Sequence, residues 1–70
     1  MERIAVRSQD IAVVGYDSLS ETLELAFRSG NVYHYQKVPE KVYSDLLKAP
    51  SKGLYVRDHV KEKYDYQKVC

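Results

Sequence analysis

The only cysteine in this 70-residue chain is its last residue, Cys70. No disulfide can close within the chain and no cysteine-based zinc site can form, so the staples on which many very small domains rely are absent. Packing alone must hold the fold. In a chain this short, burial of apolar surface at about 25 cal/mol per Å² barely outweighs an ordering cost of roughly 1.5 kcal/mol per residue. Nearly every large apolar residue is therefore needed in one core, and residues 1–70 are expected to form a single domain. A content of 44% hydrophobic and 30% charged residues, without any low-complexity tract, supplies enough apolar material for that core. The longest N-terminal apolar run, Ile11 to Gly15, is shorter than a signal-peptide core of about 7–15 residues and than the roughly 20 needed to cross a bilayer. A reducing cytoplasm is the expected compartment, with no membrane contact.

The patterning predicts an α+β domain. Ile11 to Tyr16 is rich in β-branched residues and stops at Asp17-Ser18, as a strand entering a turn does. In Thr22 to Arg28, Leu23, Leu25 and Phe27 recur at period two, the signature of a half-buried antiparallel strand. After Ser29-Gly30-Asn31, the run Val32 to Lys37 again favours a strand, so residues 11–37 read as a three-stranded meander. Pro39 suits the first turn of a helix, where its missing N–H has no partner to lose. Val42, Tyr43, Leu46 and Leu47 then form one apolar stripe, ended by Ala49-Pro50. Ser51 can cap a second short helix running through Lys63, with Tyr55, Val56, His59 and Val60 on one arc. Both helices are expected on one face of the sheet, with Tyr64 to Val69 as a candidate C-terminal edge strand.

Several of these stretches together resemble one family: Gly15-Tyr16-Asp17, Leu23-Glu24-Leu25 with Phe27, Ser29-Gly30, Val32-Tyr33-His34-Tyr35, Val38-Pro39, Ser51-Lys52-Gly53 and Tyr64. The pattern is similar to the KTSC domain, a module named for its place at the C-terminus of some lysyl-tRNA synthetases and also found as a free-standing bacterial protein. The resemblance covers nearly the whole chain, and its centre is the Tyr-x-Tyr of Tyr33 and Tyr35. It implies a non-catalytic module for which RNA binding has been suggested. Residues beyond Tyr66 lie outside its motifs, so Cys70 is expected to be exposed and dispensable.

The loop between the second and third strands of the meander decides where the tyrosines point. A three-residue loop at Arg28-Ser29-Gly30, with Gly30 left-handed, pairs Leu25 with Tyr33 and Leu23 with Tyr35 and sets both rings beneath the helices. A two-residue loop shifts the register by one and turns Tyr33 and Tyr35 outward, where bases could stack on them. The first register is favoured, because a tyrosine is often largely buried with only its hydroxyl reaching a partner. It makes Leu23, Leu25, Phe27, Val42, Leu46, Val56 and Val60 the expected core. It also puts His34 opposite Glu24 on the outer face, as a surface pair worth about 0.2–1 kcal/mol or, with a third group, a general acid.

The formal net charge of +1 gives no global field. The halves differ, since residues 1–36 carry three basic and five acidic groups and residues 37–70 carry eight and five. The basic half and its tyrosines nominate Lys52, Tyr55, Lys61 and Lys63, with Tyr33 and Tyr35 if exposed, as nucleic-acid contacts. Arg57 and Lys61 are expected on the same helix surface as Asp58 and Glu62, which offset them. Two histidines without supporting carboxylates make no metal site, and neither a phosphate-cradling glycine loop nor a nucleophile elbow occurs. No cofactor, small-molecule substrate or catalytic residue is expected. The resemblance, joined by the basic half and its tyrosines, implies a binding module, for tRNA or single-stranded RNA. The alternative is a protein partner or a second copy of the chain, held at an exposed sheet edge or tyrosine patch.

Overall fold

Period-two alternation organises the computed structural model, which describes residues 1–70. The elements in chain order are β1 (Glu2–Ala5), β2 (Ile11–Asp17), β3 (Thr22–Phe27), β4 (Val32–Tyr35), α1 (Glu40–Lys48), α2 (Lys52–His59) and β5 (Tyr66–Lys68). All strands pair antiparallel in one sheet of order β1-β2-β3-β4-β5, and both helices pack on one of its faces. The α+β architecture is as expected, but the sheet has five strands, not three. The meander is its centre, β5 is the expected edge strand, and β1 was not anticipated because every residue in it is exposed. The chain is tied to β4 through its end: Gln36 N donates to the Asp65 carbonyl at 2.8 Å, Val69 N to Val32 at 2.8 Å and Val32 N to Cys70 at 3.2 Å. The Cys70 thiol is exposed as expected, while its carbonyl, just past the end of β5, accepts from the Val32 N–H of β4.

The hairpin closes as the three-residue loop requires. Gly30 has φ 102°, its N–H donates to the Phe27 carbonyl at 3.0 Å, and Leu23 pairs with Tyr35 and Leu25 with Tyr33. Leu23, Leu25, Leu46, Val56 and Val60 are buried, whereas Phe27 and Val42 pack at the margin of the core. Ile11, Val14 and Val38 complete it. Ile11 and Val14 lie three apart, a spacing that alternation would send to opposite faces. An irregularity between Ile11 and Val13 inserts Ala12 and restores both to the helix side.

Val38 joins sheet to helices. Lys37 takes a left-handed conformation at φ 56° and turns the chain over the core. The Val38 N–H then donates to the Glu21 carbonyl at 2.8 Å, and its own carbonyl accepts from the Tyr16 hydroxyl at 2.6 Å. Both polar groups of this fully buried residue are thus satisfied. Tyr16 also stacks on Tyr43 of α1, with centroids 5.0 Å apart. The second helix ends at His59, short of Lys63, because Val60 leaves helical geometry to bury its side chain. The Lys61 N–H closes that end on the Val56 carbonyl at 2.8 Å.

The outer face carries one ion cluster in a row across the sheet. Gly15 of β2 faces Arg3 of β1 on one side and Glu24 of β3 on the other, and Glu24 faces His34 of β4. A Cβ on Gly15 would stand 3.3 Å from Arg3 Cγ and 3.2 Å from the Glu2 carbonyl oxygen, so glycine is what lets Arg3 reach across β2. Arg3 Nε donates to Glu24 Oε1 at 2.6 Å and Nη2 to Oε2 at 3.2 Å, while His34 Nε2 lies 2.7 Å from Oε2. The expected pair of Glu24 and His34 is present, with Arg3 as an unforeseen third member.

Two outcomes follow from this packing. Tyr35 is 4% exposed, so Tyr35→Ala should lose roughly 3–5 kcal/mol and leave the domain largely unfolded by circular dichroism at 37 °C; an unchanged melting temperature would contradict its burial. The hydrogen bonds from Arg3, and secondarily from His34, hold the Glu24 carboxyl below its ordinary range despite burial. Stability from this group is complete above its unfolded pKa of about 4.3 and is lost as pH falls through the lower folded value. The Arg3 side chain is 56% exposed, which reduces the pair's worth, so Glu24→Gln should cost about 1 kcal/mol at neutral pH, or roughly 4–8 °C in Tm. Plotted against pH, the Tm values of the two proteins should converge as pH falls below the ordinary carboxylate range; parallel curves would show that Glu24 does not supply the acid sensitivity.

Candidate nucleic-acid interface

Between α2 and the β1–β2 loop, the helix-side face of the sheet is left uncovered and forms an open cleft of about 910 Å³. Its floor is aromatic: Phe27 of β3, Tyr33 and Tyr35 of β4 and Tyr66 of β5. Tyr33 meets Phe27 edge-on at 5.6 Å and Tyr66 edge-on at 5.7 Å, and Tyr66 also touches Tyr35 at 5.6 Å. Cross-strand pairing produces this cluster, since Tyr35 stands opposite Leu23 on one side and Tyr66 on the other. Tyr35 lies at the bottom, and Tyr66, 58% exposed, is the open ring.

Two segments wall the floor. The β1–β2 loop is held by Arg28, whose Nε donates to the Ser8 carbonyl at 2.7 Å and whose backbone N–H donates to Asp10 at 2.8 Å. Ser8 Oγ in turn accepts from the backbone of Asp10 and Ile11, both at 3.3 Å. The opposite wall begins at Ser51-Lys52-Gly53. Ser51 Oγ accepts from Leu54 N at 3.4 Å as the N-cap of α2. Lys52 Nζ donates to the Ala49 carbonyl at 3.1 Å. Gly53 admits the Asp10 side chain, for a Cβ there would come within 3.1 Å of Asp10 Oδ2.

Charge in the cleft is one-sided. Arg7, Arg28, Lys52, Arg57 and Lys61 line it, against Asp10 as the one acidic residue. Glu24 faces the other side of the sheet, and Asp17 and Glu21 lie at the far β2–β3 turn. Arg57 spends its Nε on an exposed contact with Asp58 at 3.2 Å, a pair weak enough to exchange for another anion.

Of the residues nominated from sequence, Tyr33, Tyr35, Lys52 and Lys61 meet in this cleft. Tyr33 and Tyr35 do so on the helix side, not as outward-facing rings. Tyr55 is half-buried against the core, with its ring 4.6 Å from that of His59, and Lys63 lies in the turn after α2; neither lines the cleft. His59, which shares the apolar arc of the second helix by its spacing, is exposed. Nothing in the sequence marks Arg7 and Arg28, because the first half of the chain is acidic overall, although of its acidic residues only Asp10 lines the cleft. Arg57 was discounted against Asp58, and only the pairing of β5 with β4 brings Tyr66 to the floor. No cluster of histidine, cysteine, aspartate and glutamate side chains could hold a metal ion, and no helix is long and apolar enough to cross a membrane.

Comparison with known proteins agrees with this architecture. The profile of the KTSC domain matches residues 7–64. The lysine–tRNA ligase of Trichormus variabilis is 44% identical over 54 residues, which are 77% of this chain and 10% of the ligase, so the chain spans about a tenth of that protein. A protein of Stutzerimonas stutzeri is 36% identical over 70 residues, with 99% of both chains covered. The crystal structure of a KTSC domain protein from Yersinia pestis superposes with a TM-score of 0.95 at 33% identity, covering 99% of this chain and 97% of the other. Matched in sequence by the family profile and over nearly its full length by a solved relative, the chain belongs to the KTSC domain family.

Proposed function

We propose that the chain is a non-catalytic module that binds RNA, as tRNA or a single strand, in the basic aromatic cleft. The observation that carries this reading is the gathering of five cations and one acid around an aromatic floor in a chain whose net charge is only +1. Cations meet phosphates and rings meet bases, which is the common composition of single-strand binding surfaces. The ligases that contain a matching segment act, by their name, on a tRNA. A protein-binding role rests on a different feature: β1 and β5 leave their outer edges unpaired, and Ile4 on β1 is exposed.

Titration of labelled tRNA and of a labelled single strand by fluorescence anisotropy separates the two. We expect weak, salt-sensitive binding at tens of micromolar, with log affinity falling against log salt at a slope of about −2 to −3 for three or four phosphate contacts. Changing Arg57 and Lys61 together to Glu should reduce affinity more than tenfold with an unchanged circular dichroism spectrum, since both side chains are exposed. Lys63→Glu, off the cleft, should have a much smaller effect. Absence of salt-sensitive binding to either RNA would overturn the reading in favour of a protein partner at the sheet edge.

A further inference from the structure

We infer that the cleft accepts an unpaired nucleotide, with its base lying on the Tyr66 ring and its flanking phosphates on Arg57 and Lys61, and that it discriminates against duplex RNA. This rests on the RNA reading above and specifies the form of RNA. Three features of the cleft lead to it.

Tyr66 differs from the other floor rings. Phe27, Tyr33 and Tyr35 are partly or wholly buried, whereas Tyr66 remains 58% exposed while braced by Tyr33 at 5.7 Å and Tyr35 at 5.6 Å. A ring already held by two neighbours loses little rotamer freedom when a base covers it, so stacking there is gained at low entropic cost. The floor is also recessed between the β1–β2 loop and α2. An A-form duplex keeps its base faces within the stack and presents ribose and phosphate, so it can touch the rim but cannot put a base on the floor.

Size and charge agree with a short unpaired segment. A volume of 910 Å³ falls at the upper end of pockets for small ligands, roughly 300–1,000 Å³, which is room for one or two nucleotides. Arg57 and Lys61 stand on the α2 side and Arg7 on the loop side, so a strand crossing the cleft meets cations on entering and on leaving. Arg57 exchanges an exposed contact with Asp58 for a charge-assisted bond to phosphate.

The test uses the full chain and a fluorescein-labelled 12-nucleotide RNA of mixed sequence, alone and annealed to its complement, at one low salt concentration. The single strand should bind at least tenfold more tightly than the duplex. Tyr66→Leu should weaken single-strand binding by on the order of tenfold, as loss of one stacked base would, while leaving residual duplex binding unchanged. Tyr66→Phe should keep single-strand affinity within about twofold, since stacking needs the ring and not the hydroxyl. In the unmodified protein, the Tyr66 ring protons should shift upfield in NMR spectra as the strand is added. Equal affinity for duplex and single strand, full affinity in a folded Tyr66→Leu variant, or unmoved ring protons would each overturn the inference while leaving RNA binding in place. Lack of binding to both RNAs would overturn it together with the reading on which it rests.

Discussion

Gly30 closes the β3–β4 hairpin in a conformation that side chains rarely adopt, and that closure sets which residues stand on each side of the sheet. With three residues in the loop, Tyr33 and Tyr35 join Leu23, Leu25 and Phe27 beneath the helices, and Glu24 and His34 face outward together. A slip by one residue would exchange the two sets, burying a carboxylate and an imidazole under α1 and α2 and turning the aromatic floor to the other side. The outer cluster and the cleft are therefore two expressions of one register. Arg3 can complete the cluster only because Gly15 leaves open the position between it and Glu24.

Much of this was legible in the chain. Leu23, Leu25 and Phe27 at period two, followed by Gly30, led to the register, and the apolar stripe of α1 was plain. Less visible was whatever depends on a local departure from periodicity or on long-range pairing. The extra residue at Ala12 hides the fact that Ile11 and Val14 share a face. β1 has no buried residue, so no alternation betrays it. The four residues after His59 look helical until the burial of Val60 is known. For the site, the Tyr-x-Tyr motif and two of the lysines were readable, but the arginines of the opposite wall come from segments that only the folded sheet brings near α2.

A near-neutral chain can still concentrate one sign of charge locally. Five basic residues line the cleft against Asp10 alone, while the other acidic groups are spread over the rest of the molecule. Global charge thus says little about partners here, because attraction depends on the charge within about a Debye length, some 8 Å at physiological salt. The Arg28 clasp on the β1–β2 loop adds a mechanical element: it holds the loop wall in place before anything binds, so less ordering remains to be done on association.

The last strand of the sheet is reached only after the chain has passed through both helices. β5 contributes no residue to the buried core and is joined to β4 by a short ladder and the backbone bonds that flank it. Contacts between segments so distant along the chain form late and open early, because closing the intervening loop must precede any gain from them. Peeling β5 away would remove Tyr66 from the cleft and uncover Tyr33 and Tyr35, the rings against which it packs. A ligand resting on that ring would hold the strand down, so occupancy of the cleft and protection of the β5 amides from hydrogen exchange are two readings of a single equilibrium.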